Sequence, residues 1–374
     1  MKRLGVVFPF IISITMLTGC WDREYLKDIN IAYSVGFDLT KDRKIKETVE
    51  LIMPPESEQT GHKNEIHSAM GLTTRSASNE LRSKVTGNIS TIKNGVQLVG
   101  KNLARDGLMA PLDVNYRDSA NPTSNVRLIV TEQDAAEIIN LKKIGELQVG
   151  EFLTHKIESL EKMSRFYPPE TMDSVFRALK DPGMDFVLPY IASEGKEVII
   201  KGVALFHDQY YSGMLNTEDA IMLVLLKGRT GGDARISKKI DSGSADPTQG
   251  KISINVGKKK IKRKFDVLVT KNGEIHVNLS IKLKAYIEEY TGARSLNDEE
   301  VLKVNKELSD ILTSDAQRVI RDLQKANCDV FGVGRQLIAY HNNVWRQKNW
   351  AEDYRKVHFH TKVSVAITST GIIR

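Results

Sequence analysis

The chain has 374 residues, 41% apolar and 27% charged, with a formal net charge of +7. That length holds two or three domains with buried cores, and so mild a basic balance suits a protein beside an anionic membrane surface without calling for a nucleic-acid partner. Cysteine occurs twice, at Cys20 and Cys328, so a disulfide framework is excluded and stability has to come from packing.

The first element is Met1-Lys2-Arg3, a short basic start, and the almost wholly apolar residues 4–17 behind it. This is the layout of a secretory signal. Fourteen residues of helix span about 21 Å against roughly 30 Å for a bilayer core, and Pro9 weakens a spanning helix further. Export is therefore expected, not a permanent span. The stretch ends in Leu17-Thr18-Gly19-Cys20, which looks like a bacterial lipobox. Small Thr18 and Gly19 let a peptidase reach the backbone, and the Cys20 thiol takes a diacylglyceryl thioether. With the new amino terminus also acylated, the anchor holds firmly, since one acyl chain binds only marginally. Cys20 is thus the expected lipidation site, an S-diacylglycerol cysteine, and residues 1–19 the signal peptide. A plain signal peptide, or a signal anchor with an incidental cysteine, is the alternative. Removing 1–19 leaves 355 residues and a charge of +5.

In the mature part, Ile29, Ile31, Tyr33, Val35 and Phe37 alternate with smaller or polar residues, and Ile45, Val49, Leu51 and Met53 resume period two after a turn. The pattern predicts a hairpin ended by Pro54-Pro55. Residues 54–70 are polar and are expected to be a linker or mobile loop. A helix is predicted over 73–85, a buried strand over 95–99 and a short helix over 101–105 stopped at Gly107. A strand follows over 125–131, with Thr131 capping the helix that carries Ala135, Ile138 and Ile139. Further helices are predicted over 150–164 and 169–180, with Pro169 in the first turn of the latter. Residues 186–189 read as extended.

From Glu197 the composition resets. A strand over 198–206, a turn at 207–209 and a strand over 210–215 lead to a helix capped by Asn216 or Thr217 and ended by Lys227-Gly228. Residues 229–250 are expected to be loop. Strands follow over 252–256, 265–269 and 275–283, the last two joined by the hairpin signal Asn272-Gly273. The longest helix runs from 296 to 326, with Asn297 and Glu300 resembling a capping box. A second helix follows Gly334, and a strand over 357–368 closes the chain. Strands and helices alternate irregularly, so the fold class is α+β, a multi-domain protein with mixed sheets and packed helices.

Candidate chemistry is sparse. The loop at 227–233 (KGRTGGD) lacks phosphate-loop spacing and follows a helix instead of preceding one. His358 and His360 share one strand face and with His341 form the one potential metal set, but that face also carries Lys356, Lys362 and Ser364 and reads as solvated. Carboxylate pairs such as Glu288-Glu289 look like solubilising charge. No catalytic, cofactor-binding or metal-ligating residue is assigned, and no cofactor. Cys328 reads as a buried small apolar residue. The run at 258–264 (KKKIKRK) carries six positive charges in seven residues. It attracts anionic headgroups or an acidic partner in one reading, and protects a strand edge from aggregation in the other.

Several stretches, taken in order, resemble the Ger(x)C family, the lipoprotein C subunits of spore germinant receptors. These are the lipobox with Trp21-Asp22-Arg23-Glu24, KNLARDG at 101–107, Arg117-Asp118, KGVALF at 201–206 with GML at 213–215, CDVFGVG at 328–334, Trp345, Trp350 and Thr370-Gly371. Phe331 is bulkier than the aliphatic residue of the family pattern. The resemblance implies three α/β domains, discontinuous in the first half. Residues 21–58 would pair with 184–200 around an inserted 59–183 domain inside an N-terminal region of 20–196, and 197–374 would form the C-terminal domain. It further implies a non-enzymatic, lipid-anchored subunit on the outer face of the spore inner membrane, acting with an integral-membrane A-type subunit and a transporter-like B-type subunit. A lipoprotein that captures the germinant itself and a cell-wall hydrolase are the competing readings.

Overall fold

The computed structural model describes residues 29–53, 63–118, 121, 123–163, 170–228, 232–241, 249–257, 260–292 and 296–370. Cys20, residues 21–24, Pro169, Lys258, Lys259 and Gly371 lie outside the described residues.

Alternating burial makes the first hairpin. Strand β1 (Ile29–Leu39) buries Ala32, Val35 and Phe37, and β2 (Ile45–Met53) buries Ile45, Val49 and Leu51. Against expectation, part of 54–70 is a strand. β3 (Lys63–Gly71) pairs antiparallel with β2 from Ile45↔Gly71 to Met53↔Lys63. Its one buried position is Ala69, so an outer strand held by backbone bonds carries no alternating apolar signal. Next come helix α1 (Thr74–Arg82), the short β4 (Asn88–Ser90), β5 (Val96–Gly100), and helices α2 (Lys101–Asp106) and α3 (Met109–Arg117). β6 (Arg127–Thr131), α4 (Ala135–Ile139), the small hairpin of β7 (Lys143–Ile144) and β8 (Leu147–Gln148), α5 (Val149–Met163) and α6 (Met172–Lys180) follow. Strands β9 (Val187–Glu194), β10 (Glu197–His207) and β11 (Tyr210–Asn216) complete a nine-stranded sheet.

The order is β11-β10-β9-β6-β5-β1-β2-β3, with β4 on β1. The centre is parallel and both wings are antiparallel. A parallel centre needs cover on both faces. One face is covered by apolar side chains of α1, α2, α3 and α6, such as Leu81, Leu103, Leu112 and Val175. The other is covered by α4 and α5, through Ile138, Ile139, Leu153 and Ile157. Strands from 29–53 and 187–200 share this sheet but are not neighbours, because β5 and β6 lie between them. The sheet runs on through residue 196 into β10 and β11.

Thr131 does not cap α4. Its hydroxyl donates to the Gln133 carbonyl at 2.7 Å, and the cap comes from β1. The Asp38 carboxylate accepts from the amides of Ala135 and Ala136 at 2.6 and 3.0 Å. Glu50 on β2 does the same for α5, accepting from Val149 and Gly150 at 3.1 and 2.8 Å.

Helix α7 (Thr217–Lys227), capped by Asn216, leads into a second sheet. Its strands are β12 (Ala234–Lys239), β13 (Lys251–Val256), β14 (Ile261–Val269), β15 (Ile275–Tyr290) and β16 (His358–Ser369). β12 falls in the expected loop; as an outer strand it buries only Ala234. β13 and β14 pair with successive halves of one edge of β15, and β16 runs parallel along the other. β15 alternates strictly, burying Val277, Leu279, Ile281 and Leu283 against α8 (Asp298–Lys325). Helices α9 (Val333–Tyr340), α10 (Asn342–Trp345) and α11 (Trp350–Asp353) precede β16.

Candidate functional site

The stretches that stand out in sequence converge on the β10–β11 hairpin. On one side, α2 brings Lys101 over the rings of Tyr190 and Tyr211, at 5.6 and 5.8 Å, and Arg105 over Tyr211 at 5.8 Å. Gly107 follows with φ +130°, and a Cβ there would lie 2.7 Å from Gln209 Oε1. The hairpin turn is bound at this point, for Leu108 N donates to the Gln209 carbonyl and Met109 N to Gln209 Oε1.

On the other side, the turn after α8 docks against the segment before β9. Asp329 N donates to Asp185 Oδ2 at 2.8 Å and Asp185 N to the Asp329 carbonyl at 3.0 Å. The Asp329 side chain is fully buried. It accepts from Val333 N at 2.9 Å, Gly334 N at 2.8 Å and the Trp350 indole N–H at 3.2 Å, so it caps α9 and fixes the tryptophan together. Asp185 accepts from Asp208 N at 2.9 Å and sits 3.5 Å from His207 Nδ1. His207 Nε2 meets the Asn327 amide at 3.1 Å. The backbones also touch: a Cβ on Gly334 would fall 2.5 Å from Gly183 Cα. No larger residue fits at either position without moving the other segment. A cleft of about 340 Å³ opens beside this contact, walled by Met184, His207, Trp345 and Trp350.

The electrostatics are those of a clasp. Burial outweighs the three donors and pushes the Asp329 carboxyl up to about 7. The Asp185 bond raises His207. Burial pushes the Cys328 thiol well up, which removes its nucleophilic form. Asp329 has each oxygen occupied by an N–H donor, and so presents no base or nucleophile to a ligand.

Other sequence candidates lie elsewhere. His358 and His360 face outward on β16, but the third imidazole beside them is His276 of β15, not His341. His276 Nδ1 faces His360 Nε2 at 3.0 Å, so the two rings bond each other. Among the described residues no group of three His, Cys, Asp or Glu side chains is arranged to hold a metal. Asp118 pairs with Arg75 at 3.1 Å, away from the hairpin. Of the basic run, residues 261–264 are strand: Lys262 and Lys264 stand on one face of β14, while Arg263, on the other, donates to the Leu226 carbonyl at 2.7 Å. Asp185 and His207 escaped the sequence reading. Both flank turns, and a turn histidine or aspartate gives no signal of its partner.

Residues 22–193 match the family described as spore germination protein N-terminal domain, and residues 201–371 that described as spore germination B3/GerAC like, C-terminal. The chain is 24% identical over 369 residues to spore germination protein GerQC of Bacillus cereus, covering 97% of this chain and 98% of that one. It is 20% identical over 397 residues to spore germination protein KC of Bacillus subtilis (strain 168), covering 97% and 94%. The crystal structure of the GerBC protein superposes with a TM-score of 0.54 at 17% identity, covering 89% of this chain and 96% of that chain, so the fold is shared at low identity. With both domains matched in order along nearly its whole length, the chain belongs to the Ger(x)C family of spore germination proteins.

Proposed function

We propose that the protein is the C subunit of a spore germinant receptor, lipid-anchored through Cys20 on the outer face of the spore inner membrane. It works beside an integral-membrane A-type and a transporter-like B-type subunit and catalyses nothing itself. The observation that carries this reading is the match of both spore germination domains across residues 22–193 and 201–371. The buried carboxyls support a non-catalytic role, since Asp38, Glu50 and Asp329 each hold the first amides of a helix. Among the described residues no helix is long and apolar enough to cross a membrane. In this reading attachment comes from the acyl chains on Cys20.

The test is Cys20→Ala in the sporulating cell. Acyl labelling of the protein should vanish and germination through this receptor should fail. Normal germination at wild-type protein abundance would overturn the anchored-subunit reading. Micromolar binding of a germinant in calorimetric titration would favour direct capture instead.

A further inference from the structure

The C-terminal sheet buries one face against α8 and turns the other to solvent. Residues opposite each other in register share a face. Lys262 stands opposite Lys282 and Lys264 opposite Ser280, and on the far side Ser280 meets Lys362. Together with Lys284, these five lysines are exposed on one face spread over three strands. The acids on that face are already engaged. Asp266 pairs with Lys264 at 3.2 Å, Glu288 is held by Arg235 and Asn255, and Glu274 lies near His276 at the far end. Among the described residues Lys262, Lys282, Lys284 and Lys362 form no ion pair.

Protection of a strand edge does not account for this arrangement. β15 is paired on both sides, so Lys282 is not at an edge, and like charges directly opposite each other weaken a sheet. We propose that this face docks on an anionic lipid surface. A protein-binding patch has an apolar or aromatic centre and is depleted in lysine. Here lysine and serine occupy the centre. A layer of phosphate headgroups suits ammonium groups that share one face and stand on long flexible stems. Each lysine near such a surface strengthens binding by roughly fivefold. The attraction is independent of the acyl chains on Cys20 and would orient the C-terminal sheet toward the bilayer.

The test uses the full chain carrying Cys20→Ser, so that no lipid anchor masks the effect. Flotation is compared on phosphatidylcholine vesicles and on vesicles that also contain phosphatidylglycerol. At low salt the parent should bind the anionic vesicles more than tenfold better, roughly the product of a few lysine contributions. Raised salt should abolish the difference. Lys262→Gln, Lys282→Gln and Lys362→Gln combined should weaken anionic binding by more than tenfold while keeping the parent's unfolding transition. Lys303→Gln with Lys306→Gln, on the exposed side of α8, should leave it unchanged. A parent that ignores phosphatidylglycerol, or a folded triple variant that keeps the preference, overturns the proposal. The first outcome leaves an acidic protein surface as the occupant.

Discussion

At Asp329, three N–H groups converge on one carboxylate out of reach of water. Removing it strands two backbone donors and an indole. Asp329→Ala is therefore expected to lower stability by about 3 kcal/mol, read as a lower urea midpoint at unchanged slope; Asp329→Asn, which keeps one oxygen, should cost less. The pH dependence has a definite sign. Burial raises Asp329 and Glu47 to about 7 and Asp38 to about 6. Each holds its proton in the folded chain where the unfolded chain has lost it, so stability falls as pH rises from about 4 to about 7. The bond to Asp185 raises His207 and acts in the same direction. The melting temperature should drop across that window, and less steeply in Asp329→Asn. A profile that rises with pH would contradict the assignment. The sequence marked 328–334 by its resemblance to the Ger(x)C pattern but could not say what the stretch holds together. The reason lies in Asp185, Gly183 and Trp350, and none of these contacts leaves a local trace.

Helix starts show what a local reading misses. Asn216 and Asn297 cap their own helices as their positions predict, and Thr73 caps α1 in the same way, because donor and acceptor lie within one turn. α4 and α5 instead take their caps from the sheet, across 97 to 100 residues. Asp38→Ala should cost about 1–2 kcal/mol, and amide exchange should quicken at Ala135 and Ala136 while α5 stays protected. Loss of protection in both helices alike would mean that Asp38 acts on the whole sheet. The outer strands β3 and β12 were illegible for a different reason. Their pairing rests on backbone bonds to one neighbour, while period-two patterning reports buried side chains, of which β3 and β12 have one each. Where both faces are covered, as in β5, sequence and structure agree closely, and β15 begins where its alternation predicts but runs on past residue 283 to Tyr290.

Across the whole molecule, the division seen in composition at Glu197 is not a division in the sheet. β10 and β11 belong to the C-terminal half by sequence and to the N-terminal sheet by pairing. Val203, Ala204, Leu205 and Phe206 are all buried there. A chain cut after residue 196 bares the β9 edge and loses that apolar cover, a known route to aggregation. It should be recovered insoluble, whereas a chain cut after residue 228 should be soluble and unfold cooperatively. Equal solubility of the two would show that β10 and β11 are dispensable to the sheet. A second prediction concerns the backbone contact between the halves. Gly334→Ala should lower stability by about 1–3 kcal/mol, and because Gly183 lies directly opposite, Gly183→Ala combined with it should not add in full.

The borrowed hairpin also sets an order in time. A chain that emerges amino terminus first delivers β1 early, but the sheet it belongs to stays unfinished until Asn216 has followed. β9 waits as an open edge until β10 follows, and β10 in turn until β11 arrives, each ready to accept any extended strand that passes. The period of greatest vulnerability is therefore fixed by wiring, not by stability, and a holding chaperone would be needed most just before the second half of the molecule arrives.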